Sequence, residues 1–189
     1  MLARLSTHVD IFCSAKNNDF STLKTCCNKG EEQVPVFLKR GDIFTSVSQV
    51  IGHGVSTQGV MGSGIARTIR VTYPSVFRAY REACEDGRLY GGQCLLVVAD
   101  EHKDDEVRVI ANIASQVCPG PYAKLHLLAE GLDNMFLQMK QLGLSSVSLP
   151  RIGTNTGGLN WDEVWYTIRE TAKMHPEIDV EVWELTPSM

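Results

Sequence analysis

Two glycine-rich stretches carry the residues best suited to chemistry. The first is His53-Gly54-Val55-Ser56-Thr57-Gln58-Gly59-Val60-Met61-Gly62-Ser63-Gly64-Ile65-Ala66, and the second is Pro150-Arg151-Ile152-Gly153-Thr154-Asn155-Thr156-Gly157-Gly158. Gly62 and Gly64 allow positive φ and close backbone approach to an anion, and a helix starting after them would offer unpaired N–H groups and the positive end of its dipole. His53 titrates near neutrality and can pass a proton to or from water or a leaving phosphate, or it can serve as a strand-end histidine hydrogen-bonded for structure. Arg151 can pair with a phosphate or hold its own loop through a carboxylate. Neither stretch matches the P-loop, which needs Lys-Ser or Lys-Thr. The dinucleotide fingerprint fails because Arg67 stands where its third glycine belongs.

Both stretches need strands to deliver them and helices to follow them. The run Val47–His53 is β-branched and leads into the first, and Ile65–Val71 continues as a helix. Val34–Leu38 reads as the preceding strand, with a turn over Lys39-Arg40-Gly41-Asp42-Ile43. Tyr73-Pro74 restarts a helix through Phe77, Tyr80 and Cys84 to Gly87. Gln93–Ala99 and Val107–Ala114 are apolar runs without alternation, which predicts strands covered on both faces, joined by a charged turn over Asp100–Glu106. From Ala123 to Leu142, apolar residues recur every three or four positions, the mark of an amphipathic helix. Ser145–Leu149 leads into the second stretch, and Asn160-Trp161-Asp162-Glu163 opens another helix as a capping box. A last strand spans Ile178–Leu185. Alternating strands and helices, with glycine loops at strand ends, predict a three-layer α/β fold whose ligand crevice lies at the carboxyl ends of the strands.

Composition sets the frame. The 189 residues, 43% hydrophobic, suffice for one domain with a sizeable core, read as residues 34–189, with residues 1–33 as an N-terminal extension. A net charge of −4 gives no general electrostatic reason to bind nucleic acid or an anionic membrane, so an anion must be held locally. No apolar run approaches the ~20 residues of a membrane span, and Met1–Asp10 lacks the apolar core of a signal peptide; a cytoplasmic protein is expected. The six cysteines contain no C-x-x-C, and the spacing of His8, Cys13, Cys26 and Cys27 fits no metal-ligand pattern, so neither metal nor cofactor is expected.

Over roughly residues 34–185 the chain resembles the macrodomain family, the ADP-ribose-binding α/β/α module with a mixed central sheet. The resemblance is carried by Gly41-Asp42-Ile43-Phe44, by Met61-Gly62-Ser63-Gly64-Ile65-Ala66, and by Leu149-Pro150-Arg151-Ile152-Gly153 with Gly157-Gly158-Leu159-Asn160-Trp161. It is closest to the branch holding terminal ADP-ribose glycohydrolase and the small fungal ADP-ribose 1''-phosphate phosphatase, which share a histidine at the position of His53. The resemblance implies that the partner is ADP-ribose or a derivative. Asp42 would accept from the adenine amino group while the Ile43 N–H donates to the ring. Met61, Gly62, Ser63, Gly64 and Ile65 would wrap the distal ribose and one phosphate. Gly153, Thr154, Asn155, Thr156 and Gly157 would hold the other phosphate, with Arg151 beside it. Trp183 or Leu185 would cover the adenine, although an aromatic there also suits plain core.

The pattern departs from that branch in three places. The glycohydrolases use a lysine in the strand corresponding to Val109–Ser115, an aspartate in the second loop, and many hydrolytic relatives an asparagine after the second strand. Here the strand reads Ile110-Ala111-Asn112-Ile113-Ala114-Ser115, the loop has Gly157, and Ser56 or Thr57 replaces the asparagine. Chemistry is therefore expected from His53, Ser56, Thr154, Asn155 or a bound water. The implied activity is removal of phosphate from ADP-ribose 1''-phosphate, with removal of ADP-ribose from protein or nucleic acid, or binding without turnover, as alternatives.

Overall fold

The computed structural model describes residues 36–100 and 108–186. The expected extension over residues 1–33, with His8, Cys13, Cys26 and Cys27, and most of the expected turn over Asp100–Glu106 lie outside the described residues.

Among the described residues six strands form one sheet: β1 (Val36–Arg40), β2 (Val50–Val55), β3 (Cys94–Val98), β4 (Val109–Ala114), β5 (Ser146–Pro150) and β6 (Asp179–Glu184). Their order is β1-β6-β5-β2-β4-β3. All neighbouring pairs are parallel except β3 with β4, so the sheet is mixed, as expected. Four α-helices of the described residues accompany it: α1 (Gly64–Thr72), α2 (Pro74–Glu85), α3 (Leu125–Gln141) and α4 (Trp161–Lys173).

Alternation along the strands sends successive side chains to two cores. Val50, Ala111, Ile113, Val147, Leu149, Val180 and Val182 meet Leu128, Leu132, Met135 and Phe136 of α3 and Val164, Ile168 and Ala172 of α4. On the other face Ile51, Val55, Ile110 and Ala114 meet Ile69 of α1 and Val76, Tyr80 and Ala83 of α2. The result is a three-layer α/β/α arrangement with two separate apolar cores.

Local differences from the sequence reading have physical reasons. β1 ends two residues later than expected because Lys39 and Arg40 still pair with Trp183 and Glu184 of β6; Val34 and Pro35 lie outside the described residues. Val47, expected in the second strand, is 87% exposed and precedes β2. That strand instead continues past His53 to Val55. Double burial holds for β4, whose six residues are all buried, but not for β3, which lies at the sheet edge with Val98 exposed. Among the described residues no helix is long and apolar enough to cross a membrane.

Candidate functional site

Parallel β1, β6, β5, β2 and β4 all deliver their carboxyl ends to the same edge, and the loops leaving them form the candidate site. At the β1 end, Gly41 N–H donates to the Glu184 carbonyl at 3.0 Å, so Asp42 and Leu185 leave the sheet side by side. Asp42 is exposed and caps a 3-10 turn over Ile43–Thr45, its Oδ1 accepting from the Phe44 N–H at 3.0 Å. The turn role of this carboxylate is thus realised, with the group still facing solvent. Ile43 is buried beneath it and joins the α1–α2 core. Leu185 is 75% exposed. Trp183 instead packs against that core, and its indole N–H donates to Glu181 at 2.9 Å and Ser148 at 3.1 Å. Of the two candidates for covering a base, Leu185 is the more open and Trp183 is partly buried.

The first glycine loop leaves β2 and is tied from behind. The Tyr80 hydroxyl donates to the Ser56 carbonyl at 2.8 Å and accepts from the Val60 N–H at 3.1 Å. Burial raises the Tyr80 pKa to about 12, so it remains a hydroxyl through neutral and mildly basic pH. Met61 is fully buried and anchors the loop from below. Gly62, Ser63 and Gly64 are exposed. Gly64 has φ +53°, and a Cβ there would meet nothing within 4 Å, so open space lies against the start of α1. Ser63 sits at the N-cap without a side-chain cap bond. The first N–H groups of α1 therefore face that space uncapped, in contrast to α4, where Asn160 Oδ1 accepts from Asp162 and Glu163 N–H.

The second glycine loop is held tightly. Gly153, at φ +73°, gives its carbonyl to the Leu159 N–H at 2.9 Å. Gly157 is buried, and a Cβ there would stand 2.4 Å from the Gly153 oxygen. An aspartate cannot occupy this position without reshaping the backbone, which is a physical reason for the glycine. Thr154 Oγ1 donates to the Arg151 carbonyl at 2.8 Å, while Asn155 and Thr156 are exposed at the tip. Arg151 takes the structural option: its Nη1 lies 2.8 Å from Glu184 Oε1, and its guanidinium stacks 4.4 Å from the Trp161 ring centre.

His53 requires a correction. Because β2 runs on to Val55, this residue lies inside the strand and not at its end, with its side chain on the α1–α2 face. It is 0% exposed, and its Nε2 lies 2.9 Å from Asn112 Oδ1. Asn112 donates its own amide N–H to the Leu95 carbonyl, which fixes Oδ1 as acceptor and Nε2 as the protonated nitrogen. Burial lowers the pKa to about 4, partly offset by the Asn112 bond. The imidazole is thus neutral and sealed from solvent, the state of a histidine held for structure. Ser56 is similarly withdrawn, at 2% exposure with its Oγ 3.4 Å from the Gln58 N–H that it accepts.

Sequence reasoning missed a third wall, the segment 115–124 after β4. The Thr57 N–H and Oγ1 both donate to the Val117 carbonyl, at 3.3 and 3.2 Å. Gln58 Nε2 lies 3.5 Å from Cys118 Sγ. On its other side the Ala123 N–H donates to the Gly157 carbonyl at 3.1 Å. This segment therefore bridges the two glycine loops. Its sequence signal was Pro119-Gly120-Pro121, a loop marker directly after an apolar strand. A separate cavity of about 310 Å³ lies away from these loops, lined by Phe37, Lys39, Ser146, Asp179 and Glu181 among others. No cluster of three or more metal-ligating side chains occurs among the described residues.

Comparison with known proteins agrees with this fold. The DNA ADP-ribosyl glycohydrolase of Thermus aquaticus is 29% identical over 145 residues, covering 77% of this chain and 40% of that protein. The ADP-ribose 1''-phosphate phosphatase of Lodderomyces elongisporus is 27% identical over 134 residues, covering 65% of this chain and 84% of that protein. The chain thus spans about 40% of the length of its glycohydrolase relatives. Among solved structures, the macrodomain of Mycobacterium tuberculosis DarG superposes with a TM-score of 0.71 at 26% identity, covering 81% of this chain and 98% of that one. The Macro domain family model matches residues 53–168, running from inside β2, through both glycine loops, into α4, and the chain belongs to the macrodomain family.

Proposed function

We propose that the crevice binds ADP-ribose or an ADP-ribose derivative and that the protein is a hydrolase acting at the distal ribose, releasing phosphate from ADP-ribose 1''-phosphate. The observation that carries the reading is the open start of α1: uncapped N–H groups, Gly64 at φ +53°, and empty space where a side chain would stand. In this reading Asp42 accepts from the adenine amino group, the Ile43 N–H donates to the ring, and Leu185 covers it. Residues Met61 to Ile65 hold the distal ribose and one phosphate, and Gly153 to Gly157 hold the other. The hydrolase character is supported by the activities named for both kinds of relative.

Phosphate release needs water to attack phosphorus, the ester bond to the ribose oxygen to break, and that oxygen to take up a proton. With His53 and Ser56 buried, the protein's contribution is chiefly positioning and stabilisation of charge by backbone N–H groups, the terms that dominate phosphoryl transfer. Asn155 and Thr156 are the exposed polar side chains nearest to hand in the second loop. Calorimetric titration with ADP-ribose tests binding, and single-turnover phosphate release from ADP-ribose 1''-phosphate tests the reaction. Absence of binding defeats the whole reading. Binding without release at high enzyme concentration leaves a reader of the nucleotide.

A second reading, removal of ADP-ribose from DNA, is favoured by the names of the glycohydrolase relatives. Against it stand the missing lysine and a Gly157 that leaves no room for an aspartate. Loss of radiolabel from ADP-ribosylated DNA separates the two.

A further inference from the structure

The net charge of −4 conceals a local reversal. From Ile43 to Arg81 there is no Asp or Glu, and apart from the neutral, buried His53 the only ionisable side chains of Asp, Glu, Lys, Arg or His type are Arg67, Arg70, Arg78 and Arg81. All four are exposed. Arg67 and Arg70 lie one turn apart on α1, and Arg78 and Arg81 one turn apart on α2. The two helices are joined at this surface by the Arg70 guanidinium, 4.6 Å over the Phe77 ring.

The patch borders the first glycine loop at two points. The Arg67 N–H donates to the Ser63 carbonyl at 3.2 Å, placing Arg67 on the first turn of α1. A Cβ on Gly59 would stand 3.0 Å from Arg81 Cγ, so the stem of Arg81 lies along that loop. Arg81 is paired with Glu85 at 3.2 Å. Among the described residues, no carboxylate comes within ion-pairing distance of Arg67, Arg70 or Arg78. The nearest acidic residues in sequence are Glu82, one turn after Arg78 on α2, Glu85, which pairs with Arg81, and Asp86, which pairs with Arg88 at 3.0 Å.

We propose that this four-arginine surface of α1 and α2 binds the phosphate backbone of a nucleic-acid strand. Guanidinium groups match phosphate oxygens bidentately and are weakly hydrated, which favours them over lysines for this contact. A protein partner would need an apolar centre, and here Val71 is the one large exposed apolar side chain on the two helices. The inference rests on the second reading of the crevice, removal of ADP-ribose from nucleic acid: the strand would lie at the mouth where the distal ribose of a linked ADP-ribose leaves the first loop. The overall negative charge gives no long-range steering, so the contact is short-ranged and salt-sensitive.

The test uses the full chain and a fluorescein-labelled single-stranded DNA oligonucleotide, followed by anisotropy across a salt series. Four phosphate contacts on a single strand give a slope of log K against log salt of about −2.8, and R67Q/R78Q, which removes the two arginines without a partner among the described residues, should reduce it to about −1.4. Calorimetry with ADP-ribose should give the same affinity for R67Q/R78Q and wild type, and R88Q should bind the oligonucleotide as wild type does. An unchanged slope in R67Q/R78Q, no salt-dependent binding by the wild type, or equal affinity for polyglutamate overturns the proposal. Failure of the wild type to bind ADP-ribose strikes the crevice reading instead and leaves the anisotropy result to stand on its own.

Discussion

Replacing His53 with Gln separates an interior histidine from a proton-transfer residue. Glutamine keeps an N–H able to donate to Asn112 Oδ1 and removes the titration. In the folded protein burial holds the imidazole pKa at about 4, against 6.5 when exposed. Between these values the unfolded chain takes up a proton that the native state refuses, so stability is fully present above pH 6.5 and is lost as pH falls toward 4. The gap corresponds to about 3 kcal/mol below both values, of which about 2 kcal/mol is already lost at about pH 5. Urea unfolding at about pH 7.5 and about pH 5 measures it: H53Q should lose about 2 kcal/mol less than wild type over this interval. The same variant should keep its rate of phosphate release within about threefold, whereas a general acid or base would cost about 10²–10⁴. Equal pH dependence of stability in both proteins, or a collapse of the rate in folded H53Q, refutes the interior assignment.

Asp42→Ala should weaken ADP-ribose binding by about 1–3 kcal/mol, roughly ten- to a hundredfold by calorimetry, because the adenine amino group loses its acceptor; Asp104→Ala should bind as wild type. Gly64→Val should do at least as much harm to the same titration, since φ +53° costs a branched residue about 1–2 kcal/mol and its side chain fills the space left for phosphate. Tyr80→Phe should lower unfolding free energy by about 1–3 kcal/mol, because it leaves the Ser56 carbonyl and Val60 N–H without their shared partner; a change below about 0.5 kcal/mol in chemical denaturation would contradict that tie.

The architecture was legible because each element wrote its own period or punctuation. The apolar spacing of α3, the Asn160 cap and the tightly spaced glycines of both loops are local signals, and all described elements fall within a few residues of where they were expected. Boundaries moved where tertiary pairing overrode local character: Lys39 and Arg40 look like a turn, yet β6 holds them in register. His53 was placed at a strand end for a related reason. Sequence spacing placed it beside the glycines but could not tell that Gly54 and Val55 extend β2, which keeps the imidazole under the helices. The 115–124 wall was missed because its site contribution comes from backbone bonds to Thr57 and Gly157, which no side-chain motif announces. The arginine surface was hidden by totals, since net charge averages over a sequence whose signs are segregated.

The hydrogen bonds from Thr57 to Val117 and from Ala123 to Gly157 have a thermodynamic meaning for any guest of the crevice. They join three loops from distant parts of the chain before a ligand arrives, so the entropy of bringing those walls together is charged to folding and not to association. Three independently mobile loops would each have to be ordered by the guest, and part of its interaction energy would vanish in doing so. Here the walls are already pinned to one another, and more of each backbone contact is retained as affinity.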